Sequence, residues 1–198
     1  MTRSKNANNP PQYQGILTET SQLGFDMASV VHIGSLLRTL VASKPAASFL
    51  ELGTGSGLAL SWLLDGMDWH AEITSIDNDT EVIGIADEYL GSNSRANIIC
   101  TNGGLWIQEN KHRKFDLIFA DTWPGKYEHL QESLHMVQDG GFYVIDDMHP
   151  HSLWTETHAE KALKLVGYLD ARDDFQLTKM EWASGIIVTA KLNSPNIG

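Results

Sequence analysis

Five acidic residues at or just beyond the ends of apolar runs, Glu51, Asp77, Asp121, Asp146 and Asp147, and three alternating glycines are the residues best placed to do chemistry. The glycines lie in Glu51-Leu52-Gly53-Thr54-Gly55-Ser56-Gly57, after an apolar strand and before a helical pattern. Glycine there lets the backbone turn sharply, approach a ligand closely and aim free N–H groups at it. A glycine-rich turn alone is a weak signal. The dinucleotide fingerprint would want glycine where Leu58 stands. Glu51 would put negative charge where a pyrophosphate should sit, yet it suits a ligand bearing an ammonium and a sulfonium. The loop therefore fits an amino-acid-bearing nucleoside. Asp77, in Ile76-Asp77-Asn78-Asp79, follows Gly53 by 24 residues and can accept both ribose hydroxyl protons. Asp79, with Thr80, is placed to cap the next helix. In Thr101-Asn102-Gly103, Asn102 can donate and accept at an adenine edge, or serve as an ordinary turn residue.

The remaining acids end two further apolar runs, Phe115 to Asp121 and Phe142 to Asp147. In an open α/β sheet ligands sit beyond the carboxyl ends of the strands, so Asp121, Asp146 and Asp147 should converge beside the nucleoside. Three oxygen donors suit magnesium, calcium or manganese better than zinc, although His149 and His151 follow closely. The plainer reading is that Asp146 and Asp147 cap a solvent-facing loop.

The elements that must position these groups alternate. Residues 1 to about 14 are rich in Asn, Pro and Gln and are expected to form a mobile arm, leaving residues 15–198 as a single domain. Apolar residues at helical spacing predict a helix from Asp26, as its cap, to about Ser43. Strands are expected at Ser48 to Leu52, Glu72 to Ile76, Asn97 to Cys100, Phe115 to Ala120 and Phe142 to Ile145. Between them lie helices at about Leu58 to Leu64, Thr80 to Leu90 and Leu105 to Glu109, and one with Tyr127, Leu130, Leu134 and Val137 in phase. A last helix, through Ala159, Leu163, Val166 and Leu169, precedes the runs Phe175 to Trp182 and Ile186 to Lys191. Their short link, Ala183-Ser184-Gly185, permits a hairpin and forbids a parallel crossover. The order predicts a doubly wound, mostly parallel α/β sheet of seven strands with one antiparallel strand from the C-terminal hairpin, a Rossmann-like arrangement.

Composition narrows the partners. The 198 residues hold 14 Lys plus Arg against 25 Asp plus Glu, a net charge of -11 that should repel nucleic acid. Cys100 is the single cysteine, in keeping with a reducing cytoplasm. No apolar run reaches a membrane span and the N-terminus lacks a secretory core, so a cytoplasmic enzyme is expected.

From about Gly24 onward the chain resembles the class I S-adenosylmethionine-dependent O-methyltransferases of the catechol and caffeoyl-coenzyme A type. The family's Glu-x-Gly-x-x-x-Gly loop matches Glu51, Gly53 and Gly57, and its strand-ending acid matches Asp77. Its metal-binding Asp falls on Asp121, its Asp-Asn pair on Asp146 and Asp147, and its Asp-x-Trp-x-x-x-Tyr run on Asp121, Trp123 and Tyr127. The chain departs from the pattern at four places: Pro124 replaces the catechol branch's lysine, with Lys126 two residues on; Asp147 replaces Asn; Ala59 replaces a serine; and Asn102 replaces an acid.

Residues and resemblance together imply an S-adenosylmethionine site of Glu51, Gly53, Gly55, Ser56, Gly57, Asp77, Asn78, Asn102, Gly103, Asp121 and Trp123. Lys126 and Asp121 would be catalytic, and Asp121, Asp146 and Asp147 would hold the divalent cation. The implied reaction is methyl transfer to a hydroxyl of a small acceptor, a vicinal-diol aromatic being the kind that could chelate the ion. Lys126, His149 or His151 would take the proton, Lys126 first. A homodimer is the assembly that the resemblance implies. The alternatives are a metal-independent small-molecule methyltransferase, a transfer-RNA guanine-N7 enzyme and a non-catalytic nucleoside-binding protein. The guanine-N7 enzymes have an Asp-Pro-Trp-Pro run like Asp121-Thr122-Trp123-Pro124, but a basic run should follow it, and here Tyr127-Glu128-His129 does.

Overall fold

The computed structural model describes residues 9–27, 29–150 and 155–193. The chain forms two compact units, one of Met1–Ala47 with Gly53–Asn102 and the other of Ser48–Leu52 with Gly103–Gly198.

The first unit holds helices α1 (Tyr13–Leu23), α2 (Val31–Ala42), α3 (Leu58–Gly66) and α4 (Thr80–Leu90) and strands β2 (Glu72–Asp77) and β3 (Ala96–Cys100). Helix α3 is buried along nearly its whole length, from Leu58 to Leu64, because its apolar residues run continuously rather than in a stripe. Gly34 lets α2 approach α3, since a β-carbon there would stand 2.3 Å from the Trp62 ring. Asp79 caps α4, accepting from the N–H groups of Glu81 and Val82 at 3.0 and 3.1 Å, as its position in the sequence predicts. Asp26 is not a cap: α2 begins at Val31 with Val30 at its N-cap. Of the expected N-terminal arm, residues 1–8 lie outside the described residues, while Tyr13 and Gln14 open α1 and Tyr13 is buried.

The second unit holds β1 (Ser48–Leu52), α5 (Gly103–Asn110), β4 (Phe115–Ala120), the turn α6 (Trp123–Lys126), α7 (Leu130–His135), β5 (Val137–Ile145), α8 (Glu156–Asp170), β6 (Phe175–Met180) and β7 (Ile186–Lys191). Val137 is strand and not the end of a helix. It pairs with Phe115, and the register shifts before Leu117 meets Phe142, so residues 138–141 form an irregular stretch within β5. Helix α8 buries Ala162, Leu165 and Leu169, and Leu163 faces solvent.

The strand order is β3-β2-β1-β4-β5-β7-β6. β4 is parallel to β1 and β5, and β2 to β3. β7 runs antiparallel to both β5 and β6. This is the doubly wound sheet with one antiparallel strand that the sequence predicts. Among the described residues no helix is long and apolar enough to cross a membrane.

Candidate active site

In the first unit the glycine loop is clamped to the end of β2. The N–H groups of Gly53 and Thr54 both donate to the Ile76 carbonyl, at 2.9 and 3.1 Å. Thr54 Oγ1 and Ser75 Oγ share a hydrogen bond of 2.6 Å. Gly53, Gly55 and Gly57 have φ of 100°, 51° and 91°, the left-handed region that glycine enters without steric cost. Gly57 has a second reason to lack a side chain, because a β-carbon there would stand 2.8 Å from that of Ala86 on α4.

Asp77 organises this loop directly. Its Oδ2 accepts from the Gly55 N–H at 2.8 Å and its Oδ1 from the Asp79 N–H at 3.0 Å. A carboxylate has about four acceptor positions, so both oxygens retain capacity for the two hydroxyls of a ribose. Ser56 Oγ, in the same loop, is buried and has no hydrogen-bond partner among the described residues. A buried hydroxyl without a partner costs free energy unless something meets it, so the loop has a donor and acceptor to offer a polar ligand. These features fit a nucleoside such as S-adenosylmethionine. Asn102 follows β3, exposed, after the Thr101 N–H has been tied to the Asp77 carbonyl at 2.8 Å.

In the second unit Glu51 is fully buried on β1, in register with Phe119 of β4. Asp121 follows β4 half-buried, its N–H held by the Leu52 carbonyl at 2.9 Å. The chain then turns through Pro124 and Gly125, whose backbone angles are not helical. Gly125 has φ 87°, and a β-carbon on it would strike Leu52 Cδ1 at 2.4 Å. Its carbonyl accepts from the buried Tyr143 hydroxyl. This turn sends Lys126 inward: the residue is only 3% exposed, so it is not a solvated surface lysine. Its Nζ donates to the Asp147 carbonyl at 2.9 Å and lies 3.6 Å from Asp147 Oδ2.

Asp146 is equally buried. Its Oδ1 accepts from the Asp147 N–H at 2.6 Å and from Ser184 Oγ at 2.5 Å. Burial pushes its carboxyl above the usual range, an effect opposed by these two donors and by the Lys126 charge. Asp147 has φ 55°, a conformation that Asp tolerates better than most residues. The loop is fastened to the β6–β7 turn, where Met148 N–H donates to the Gly185 carbonyl at 3.0 Å and His149 N–H to that of Ser184 at 2.8 Å.

Asp146 and Asp147 thus come together with Lys126, but the expected divalent-metal centre does not fit the residues as they stand. Among the described residues no group of three or more His, Cys, Asp and Glu is placed to hold an ion. The Asp147 carboxylate faces an ammonium, and Asp146 Oδ1 is engaged by two donors. His151 lies outside the described residues.

Trp123 is exposed on one side and packs edge-on against Tyr127, with ring centroids 5.6 Å apart. Lys161 Nζ stands 3.9 Å from the centre of its ring. Tyr127 Oη shares a 3.0 Å hydrogen bond with His158 Nε2. Burial, and then the Asp147 charge, push the Tyr127 phenol up. Sequence reasoning missed His158 and Ser184. Thr155, which caps α8 by accepting from the His158 N–H, was the available signal for the former. The hairpin turn itself was the signal for the latter.

Comparison with known proteins bears on these features. A curated protein of Mycolicibacterium vanbaalenii, provisionally named an O-methyltransferase, is 28% identical over 118 residues, 57% of this chain and 52% of its own length. A counterpart from Mycobacterium leprae is 26% identical over 118 residues, 57% of this chain and 53% of its own. The chain spans about half the length of the curated relatives it matches. Among solved structures, the Bacillus cereus O-methyltransferase in complex with S-adenosylhomocysteine superposes with a TM-score of 0.82 at 16% identity, covering 93% of this chain and 92% of that one. The Streptomyces achromogenes O-methyltransferase TomG, involved in tomaymycin synthesis and solved with S-adenosylmethionine, gives 0.80 at 17% identity, covering 94% and 92%. At such identities the likeness is one of fold. Residues 50–148, half of the chain and the stretch that carries the glycine loop and all five acids, match the family profile described as a methyltransferase domain, and the chain belongs to that family.

Proposed function

We propose that the chain transfers the methyl group of S-adenosylmethionine to a hydroxyl oxygen of a small acceptor. The observation that carries this reading is Asp77 holding the glycine loop by Gly55 while Ser56 Oγ stays buried and unmet. When bound, S-adenosylmethionine supplies a sulfonium methyl, whose S–C electron pair leaves with sulfur as an oxygen attacks in line.

The chain's own residues have separable tasks. Asp77 accepts the ribose hydroxyls, with Asn78 beside it. Asn102 and Gly103 meet the adenine edge, and Glu51 takes the ammonium of the methionine portion. The loop of Gly53, Gly55, Ser56 and Gly57 approaches the ligand closely. Trp123 supplies an apolar wall. Lys126, ranked first as proton acceptor on sequence, donates to the Asp147 carbonyl and is therefore assigned to hold the acceptor oxyanion by charge and hydrogen bond, which leaves Asp121 to accept the proton. The net charge of -11 favours a small acceptor over nucleic acid.

Titration calorimetry with S-adenosylhomocysteine tests the reading at its base. Wild type should bind it with one site per chain, and Asp77→Ala should bind far more weakly. Failure of the wild-type chain to bind either form of the nucleoside would remove the assignment.

A further inference from the structure

The acidic pair after β5 already contains a cation. Lys126 lies almost wholly inside the protein, donates to the Asp147 carbonyl at 2.9 Å and stands 3.6 Å from Asp147 Oδ2. This placement is built and not incidental. The Pro124-Gly125 turn that directs the lysine inward depends on a glycine at φ 87° packed against Leu52 and on the Tyr143 hydroxyl that holds the Gly125 carbonyl. A divalent ion added to the pair would have to share it with this buried positive charge, and like charges repel most where water is excluded. Asp146 is turned to other partners, with Ser184 Oγ and the Asp147 N–H on its Oδ1.

We propose that the Lys126 ammonium is the resident cation of the Asp146–Asp147 pair, serving in place of a divalent ion, and that the acceptor is a phenol or enol held through one oxygen rather than a chelating vicinal diol. The second part rests on the methyl-transfer reading given above; the first does not.

Donor arithmetic leads to the acceptor class. A divalent ion can offer two neighbouring coordination positions to adjacent oxygens. An ammonium has three N–H groups. One is spent on the Asp147 carbonyl and one faces its carboxylate, which among the described residues leaves one for an incoming oxygen. A single donor orients one hydroxyl and gains nothing from a second beside it. Flat acceptors suit the surroundings, because the Lys126 Nζ lies 5.3 Å from the Tyr127 ring centre and Tyr127 continues into Trp123 and His158.

The test uses the full chain and manganese as the probe. Wild type should leave the electron paramagnetic resonance signal of free Mn²⁺ undiminished, whereas Lys126→Gln, which removes the ammonium beside Asp147, should remove one equivalent of that signal and gain melting temperature with Mn²⁺. One equivalent of Mn²⁺ bound by wild type and lost in Asp146→Asn would overturn the proposal. If Lys126→Gln does not fold, the wild-type titration decides the first part alone, alongside Lys126→Arg, which should also bind no Mn²⁺. For the acceptor, wild-type kcat/KM should be comparable for matched phenols and catechols and unchanged by EDTA; a loss of activity with EDTA, restored by Mg²⁺, would overturn that part. Calorimetry with S-adenosylhomocysteine on the same samples separates the two questions. Its absence counts against the transferase reading, and the Mn²⁺ signal still judges Lys126.

Discussion

Gly55 donates its backbone N–H to Asp77 Oδ2 at 2.8 Å, so the acid proposed to bind the ribose also holds the loop that faces it. Ligand contact and loop shape therefore rest on one carboxylate. Asp77→Ala should weaken S-adenosylhomocysteine binding by about 10- to 100-fold, the loss expected for charge-assisted hydrogen bonds of about 1.5–3 kcal/mol. Hydrogen exchange across Gly53–Gly57 should rise at the same time. Weakened binding with unchanged exchange would mean that Asp77 touches the ligand without shaping the loop.

Gly125→Ala should destabilise the fold by about 2–4 kcal/mol, combining a left-handed backbone cost with overpacking against Leu52. Urea unfolding measures this. A variant as stable as wild type would show that the turn carries no constraint and that Lys126 is not held inward by it.

Ser184→Ala removes a donor from a buried carboxyl that burial already pushes up. We expect a stability loss of about 1–3 kcal/mol, a lowered kcat and unchanged affinity for S-adenosylhomocysteine. An equal loss of nucleoside affinity would contradict a role confined to the acidic pair.

The Arg172 guanidinium, at 2.5 Å, holds the Asp174 carboxyl below its ordinary value of 3.8. Because the folded value is the lower one, the stabilisation is present above pH 3.8 and disappears as pH falls through the folded value. Asp174 is 43% exposed at its side chain, so solvent screening limits the effect to at most about 1 kcal/mol. The advantage of wild type over Asp174→Asn in thermal melts should be visible at neutral pH and vanish in strong acid. An advantage that grew on acidification would be inconsistent with this pair.

The turn at the glycine loop and the place of Asp77 at the end of β2 were legible because each is specified by its immediate neighbours: an apolar strand, a turn residue with no side chain, a helix start. The β6–β7 hairpin was legible from the shortness of the link expected between its strands, although β6 stops at Met180 and the link runs from Glu181 to Gly185 rather than over Ala183-Ser184-Gly185 alone. The direction of Lys126 was not, because it depends on a Pro-Gly turn whose φ is fixed by Leu52 and Tyr143, far away in sequence. Val137 was assigned to the wrong element because a valine three residues after Leu134 satisfies the helical period as well as the strand into which tertiary pairing draws it. Helix α1 was missed for the opposite reason. Its buried face is Tyr13, Ile16 and Thr20, too polar to announce itself.

The hairpin tip contributes more than an edge to the sheet. A β-carbon on Gly185 would stand 2.6 Å from the His149 backbone nitrogen, and Ser184 reaches Asp146 from the same turn. During synthesis, the acids after β5 leave the ribosome long before residues 184 and 185 do. Until they emerge, the acidic loop lacks the Ser184 donor to Asp146 and the two carbonyls that hold the N–H groups of Met148 and His149.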